Sequence, residues 1–180
     1  MKKYIAIFSL LISGFMFSQQ GSKEIGVDLN FWASNNGGSI NVAPRFGYEA
    51  ADNFVIGPSV RYINHWSTLY GQKFSSNIFG FGLYGHYRFI EWLYAGADFE
   101  LYFTPYNYKV GATKPKSVAP ALILSAGLSR KIGERFRINA GINYDIINNV
   151  NSPLRPSYIA QTAKGVRIPL FYRVAFIFSI

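Results

Sequence analysis

Residues 79–89, Phe-Gly-Phe-Gly-Leu-Tyr-Gly-His-Tyr-Arg-Phe, largely alternate bulky apolar residues with glycine or polar residues. Successive side chains of a β-strand point to opposite faces, so this period of two predicts a strand with one apolar and one polar face. The same alternation returns from Lys23 to the end of the chain, and it predicts eight strands. They cover residues 24–34, 39–49, 54–66, 77–89, 93–104, 118–130, 136–147 and 165–180.

The predicted connections differ in length. Short turns are expected at residues 50–53, 90–92 and 133–135, and longer loops at residues 67–76, 105–117 and 148–164. The first hairpin, through Asn35 and Gly38, is a tight exception. This order predicts an all-β fold, an eight-stranded antiparallel up-and-down transmembrane β-barrel, with the short turns at one end and the longer loops at the other.

Four prolines fall inside the predicted strands, at Pro44, Pro58, Pro120 and Pro169. Each lacks the amide hydrogen that a sheet uses for pairing. We therefore expect them to mark bulges or strand ends.

The N-terminus has the pattern of a secretory signal peptide. Lys2 and Lys3 precede an apolar stretch, residues 4–17, that is too short to cross a bilayer as a helix. Ser18 is a small residue suited to cleavage. The sequence predicts a signal peptide over residues 1–18, a barrel domain over residues 19–180, and export to the cell outer membrane.

Side-chain volume predicts which face of the barrel is outside. The apolar face carries Phe79, Phe81, Leu83 and many residues of similar bulk on the other strands. The interior of eight strands has room only for ordinary side-chain filling. The apolar face must therefore point outward, where lipid accepts a surface that water does not.

The opposite face combines small residues with charged ones, which predicts a lumen filled by ion pairs and largely plugged. The predicted lumen network comprises Asp28, Arg45, Glu49, Arg61, Arg88, Asp98, Glu100, Arg137, Asp145, Arg167 and Arg173. His86 is expected to join it. The alternative reading of these charges is a pore.

Composition excludes several function classes. The chain has no cysteine and two histidines, so thiol chemistry and a metal site are not expected, and no cofactor motif is present. The formal net charge is +9, but the basic residues form no cluster of a nucleic-acid-binding kind.

Much of the positive charge falls on the longer loops. The longer loops carry no acidic residue, so a basic rim is predicted there. It comprises Lys73, Lys109, Lys114, Lys116, Arg155 and Lys164. Such a rim attracts anions, and the phosphates of lipopolysaccharide are the nearest candidates. The other reading is that these side chains only keep the loops soluble.

One pair of residues has the spacing of a catalytic pair. His65 and Ser67 lie two positions apart and share a strand face, which suits activation of a hydroxyl by a general base. The pair is similar to the one used by outer-membrane lipid A deacylases. Glu100 is the only acid near the required end. A rim histidine beside a loop serine is the simpler interpretation.

The export signal, eight alternating runs, and a last strand reaching the C-terminus together resemble small outer-membrane β-barrel proteins of the OmpX/OmpA-barrel type, a porin-like family. The resemblance implies a non-enzymatic structural or surface-interaction role in envelope integrity or adhesion. It also implies a monomer in outer-membrane lipid, inserted by the barrel assembly machinery, with an unknown extracellular ligand. The alternatives are a channel for small solutes or hydrophobic compounds, and a lipid A-modifying hydrolase.

Overall fold

The computed structural model describes residues 22–69, 71–106 and 118–180; the predicted signal peptide lies outside them. The strands are β1 Lys23–Ser34, β2 Gly37–Ala51, β3 Phe54–Leu69, β4 Gln72–Ile90, β5 Leu93–Phe103, β6 Ala119–Ile132, β7 Phe136–Asp145, β8 Ala160–Gln161, β9 Arg167–Ile168 and β10 Leu170–Ser179. Eight of them form a closed antiparallel barrel in the order β1-β10-β7-β6-β5-β4-β3-β2. The predicted all-β class, strand number and up-and-down closure are confirmed.

The predicted loop at residues 67–76 is wrong. The third and fourth strands continue as a hairpin, in which Ser67 pairs with Phe74 and Leu69 pairs with Gln72. The side chains here are mostly polar, which removes the apolar alternation that marks a strand. Pairing uses the backbone, however, and does not require an apolar face. The hairpin extends past the end of β5, whose last residue pairs with Phe79.

The predicted eighth run, residues 165–180, is two strands instead of one. Residues of β9 pair with β8 in a separate two-stranded sheet, and Pro169 separates β9 from the barrel strand β10. Pro44 and Pro58, in contrast, lie inside β2 and β3, and the register between these strands is the same on both sides of them. The expectation of a bulge or strand end is therefore wrong for these two prolines. Pro120 is the second residue of β6.

The barrel strands alternate between buried and exposed residues, with the bulky apolar face outside. On β4, Leu83 is 61% exposed and its neighbour Tyr84 is 3% exposed. The outward apolar residues include Ile25, Phe31, Phe46, Val60, Phe79, Phe81, Phe99, Phe103, Leu124, Leu128, Ile142, Phe176 and Phe178. The inward face carries the charged residues, so the two faces are oriented as side-chain volume predicted.

The interior has two layers along the barrel axis. The middle is polar and charged, whereas the end with the long loops holds an apolar cluster. The cluster consists of Ile63, Ile78, Tyr102, Ala119, Ala121, Ile123, Leu154, Tyr158 and Phe171. Leu154 and Tyr158 belong to residues 146–169, the connection between β7 and β10, which we call the loop cap. This connection folds inward and covers the end of the barrel.

Candidate functional site

Asp28 on β1 lies at the centre of the charged layer. Its carboxylate oxygens are 3.1 Å from Arg45 Nη1, 3.2 Å from Arg173 Nη1 and 3.7 Å from Arg61 Nη2. All four side chains are buried. Three guanidinium groups around one carboxylate would leave excess charge in a medium of low dielectric, so further anions are required nearby.

Glu100 on β5 supplies one of these anions. Its two carboxylate oxygens accept hydrogen bonds of 2.7 Å from Nε and Nη2 of Arg61, which is the two-pronged geometry that arginine favours. The Tyr102 hydroxyl donates to the same carboxylate, and Arg61 Nη1 donates to Asn41 Oδ1 at 3.0 Å. Most of the donors of Arg61 are therefore used inside the barrel.

Asp98 supplies the other anion and includes a histidine in the cluster. Its carboxylate pairs with Arg173 and lies 2.9 Å from His86 Nε2. A carboxylate only accepts, so we assign the hydrogen to Nε2, and Nδ1 then accepts from Arg45 Nη1 at 3.4 Å. Asp28, Arg45, Arg61, His86, Asp98, Glu100 and Arg173 form what we call the interior network. With neutral His86, its three arginines balance its three carboxylates.

Glycines on neighbouring strands leave room for these side chains. A Cβ atom at Gly96 would collide with the imidazole of His86, and one at Gly82 would collide with Glu100 and the backbone oxygen of Phe99. The small residues of the inward face are therefore part of the construction of the network.

Five of the eleven residues predicted for the lumen network lie outside the interior network. Four of them share the inward side of the barrel strands but lie at other heights along the barrel axis, which the alternation does not encode. The prediction for the fifth, Arg167, is wrong, because it is exposed on β9, which is not a strand of the barrel. The five residues are Glu49, Arg88, Arg137, Asp145 and Arg167.

At the end with the short turns, Arg88 pairs with Glu24. Glu24 is not among the residues predicted for the lumen network, although it has the same parity as Asp28. Glu49 accepts hydrogen bonds from Ser22 Oγ and from the amide of Asn53. Arg137 donates to Ser129 Oγ at 2.8 Å.

At the loop end, Asp145 holds the loop cap and Arg167 is exposed. The Asp145 carboxylate accepts from the amide of Asn148 at 3.1 Å and from the hydroxyl of Tyr158 at 3.2 Å. Burial, together with the neighbouring Asp145, raises the pKa of Tyr158 above its ordinary value, so the hydroxyl remains protonated and donates. Arg167 Nη1 donates to the backbone oxygen of Arg155 at 2.9 Å.

His65 also contacts the loop cap. Its Nε2 lies 2.7 Å from the backbone oxygen of Pro153, so this nitrogen donates and holds the cap. Among the described residues, no carboxylate bonds to His65, and the predicted acid Glu100 is bound by Arg61 and Tyr102. The geometry resembles a structural rim histidine more than a catalytic pair with Ser67.

The basic rim is described in part. Lys73, Arg155 and Lys164 lie at the loop end, whereas Lys109, Lys114 and Lys116 fall outside the described residues. Lys73 and Lys164 are exposed. Arg155 Nη1 donates to Asn148 Oδ1 at 3.2 Å, which fixes this charge on the surface of the loop cap.

Within the described part of the chain, no group of three or more histidine, aspartate or glutamate side chains is arranged to hold a metal ion. The same residues contain no helix that is long and apolar enough to cross a membrane. Comparison of the chain with protein-family models, with curated proteins and with solved structures gave no match.

Proposed function

We propose that the chain is an outer-membrane protein that crosses the bilayer as a barrel and acts as a structural or surface-interaction protein, without enzymatic activity. One observation carries the proposal: large apolar side chains surround the barrel, while the ion pairs lie inside it. A water-soluble barrel has the opposite arrangement of faces.

The outer apolar surface is continuous across strands. Phe81 on β4 and Phe103 on β5 have ring centroids 5.8 Å apart, and Tyr62 and Phe79 on β3 and β4 are 5.3 Å apart. Soluble monomers rarely expose contiguous apolar patches above several hundred Å². Hydrocarbon as the surrounding solvent accounts for this surface.

The interior supports a role other than conduction. The interior network joins β1, β2, β3, β4, β5 and β10 across the lumen, and the apolar cluster with Leu154 lies between it and the loop end. We infer that these two layers in series plug the lumen, since the interior of an eight-stranded barrel has room only for side-chain filling. This arrangement favours the plugged barrel over the channel alternative.

The loop end supports contact with other molecules. The β3–β4 hairpin projects past the end of β5, and the loop cap carries its own two-stranded sheet. Lys73, Arg155 and Lys164 add positive charge to this surface. We infer that it contacts the anionic lipopolysaccharide phosphates of the outer leaflet and an extracellular ligand.

Insertion can be tested with single cysteines, because the chain has none of its own. Leu83→Cys and Asp52→Cys are labelled with an environment-sensitive dye and folded into lipid vesicles. We expect the dye at position 83 to shift to the blue and to be quenched by nitroxides on the lipid chains, and the dye at the turn position 52 to do neither. A folded, monodisperse protein in water without detergent would contradict the proposal.

Conduction is measured in planar bilayers. We expect no steady openings from the full chain. Regular single-channel current steps at neutral pH would contradict a plugged lumen and would support the alternative function, a channel for small solutes.

The lipid contact is tested by replacing Lys73, Lys109, Lys114 and Lys116 with glutamine. We expect weaker binding to lipopolysaccharide at low salt. A control variant at the other end, with Lys23 and Arg135 replaced by glutamine, should bind as the parent does. Equal binding by all three proteins would exclude a specific basic rim.

A further inference from the structure

A second basic site lies at the end of the barrel with the short turns. A cavity of about 600 Å³ is lined there by Arg88, Arg130, Lys131 and Arg137, with Glu91 and Trp92 at its edge. At this end the sequence places four basic residues near four acidic ones: Lys23, Arg130, Lys131 and Arg135 against Glu24, Asp52, Glu91 and Glu134. In the structure Glu24 pairs with Arg88, so the other three cations of the cavity face Glu91 as the one carboxylate of its lining and exceed it by two charges.

The three remaining cations are not held in ion pairs in the part of the chain that the structure describes. All nine aspartate and glutamate side chains of the chain belong to the described residues. Among these residues the ion pairs of the carboxylates are with Arg45, Arg61, His86, Arg88 and Arg173. Arg130, Lys131 and Arg137 form none. Cations that line one partly enclosed cavity repel each other unless an anion lies between them.

Arg137 is also held in place before any ligand arrives. Its side chain is half-buried, and Nη1 donates to Ser129 Oγ at 2.8 Å and to the backbone oxygen of Glu91 at 3.3 Å. Both acceptors are uncharged, so they orient the guanidinium without neutralising it. An oriented guanidinium with free donors binds two oxygens of one oxyanion.

From the charge, the size and the fixed arginine, we propose that this cavity binds a phosphate group. A phosphate carries negative charge on several oxygens, and three cations around one cavity can each bind one or more of them. The group belongs either to a free phosphate compound or to a lipid headgroup, because Trp92 at the edge is exposed beside the outer apolar surface.

Trp92 provides a local signal for the test. The chain has three tryptophans, and Trp32 and Trp66 line a separate cavity at the loop end. In a Trp32→Phe, Trp66→Phe background, inorganic phosphate is titrated into the full chain in zwitterionic detergent micelles. We expect a saturable change in Trp92 emission that chloride at equal ionic strength does not produce. This arm does not require membrane insertion, so its outcome is separate from that of the proposed function.

Two variants and one control locate the site. Arg137→Gln is expected to weaken phosphate binding by about tenfold or more, since it removes a charge-assisted contact. Lys131→Gln provides a second, more exposed variant if the first fails to fold by circular dichroism. Arg135→Gln removes a charge from the adjacent turn without touching the cavity, and it should bind within about twofold of the parent. No saturable response, or an equal loss in Arg135→Gln, would overturn the proposal.

Vesicles distinguish the two sources of the phosphate. The parent is folded into phosphatidylcholine and into phosphatidylglycerol vesicles, and inorganic phosphate is added to each. If lipid headgroups fill the cavity, the Trp92 response is lost in phosphatidylglycerol only. An equal response in both lipids identifies a free phosphate compound as the ligand.

Discussion

Arg61 and Glu100 meet inside the barrel although β4 lies between their strands. On β4, Gly80 pairs with Arg61 and Gly82 pairs with Glu100, and neither glycine has a side chain to separate the two charges. The glycines of residues 79–89 thus allow the two-pronged ion pair of the interior network to form across a strand. Alternation of phenylalanine and glycine therefore determines both the outer surface and the packing of the lumen.

Replacement of Arg61 alone should be strongly destabilising. Arg61→Met leaves Glu100 buried without its cation, and breaking a buried pair from one side costs about 3–5 kcal/mol. The free energy of unfolding is measured with urea in detergent micelles or vesicles. The double variant Arg61→Met, Glu100→Gln should recover much of the loss, because it removes both charges. A double variant less stable than Arg61→Met would contradict the pairing.

Two glycines on the same strand should respond differently to alanine. In Gly82→Ala the added Cβ collides with Glu100 and with the backbone of β5. We expect the free energy of unfolding to fall by about 1–3 kcal/mol. Gly85 faces outward, where an added Cβ meets only the ring of Phe54 at 3.3 Å. Gly85→Ala should change stability by less than about 1 kcal/mol. The comparison uses the same unfolding measurement, and equal effects would argue against a crowded lumen at Gly82.

The loop cap should open when its apolar anchor is removed. Leu154 is fully buried and Ile159 is 54% exposed, five positions later in the same connection. Leu154→Ala removes buried apolar contacts, so trypsin should cleave after Lys164 and Arg167 several-fold faster than in the parent. Ile159→Ala should be cleaved at the parental rate. Unchanged cleavage of Leu154→Ala would show that the anchor is dispensable.

A charged residue introduced on the outer surface should lower the stability of the barrel by an amount that depends on its height along the barrel axis. Leu83 lies midway along β4, whereas Phe74 lies on the hairpin that projects beyond β5. If the barrel spans a bilayer, Leu83→Arg costs about 2–4 kcal/mol and Phe74→Arg about 0–1 kcal/mol. Folding into vesicles of both variants measures the difference. In water both arginine side chains would be solvated equally. Equal stability of the two variants would therefore contradict insertion of the barrel in a membrane.

The sequence predicted the barrel because its period of two persists wherever a strand has one apolar face. It failed where that contrast disappears: Ser67, Thr68 and Lys73 pair as strand in a segment that is mostly polar. The charged face was predicted for the same reason, but alternation gives the face of a residue and not its height. Asp145 and Arg137 therefore had the correct face and no place in the interior network. The inward fold of Leu154 could not be predicted, because it depends on contacts with strands distant in the chain.

The junction between β1 and β10, where Glu24 pairs with Ser179, joins the first barrel strand to the last. The barrel therefore cannot close before β10 is available, and a nascent chain that lacks β10 has two unpaired sheet edges. Such edges recruit other chains, and contacts between distant residues form slowly. A nascent polypeptide of this topology needs protection from aggregation until β10 has been synthesised. Binding by a holdase chaperone should therefore end when β10 pairs with β1.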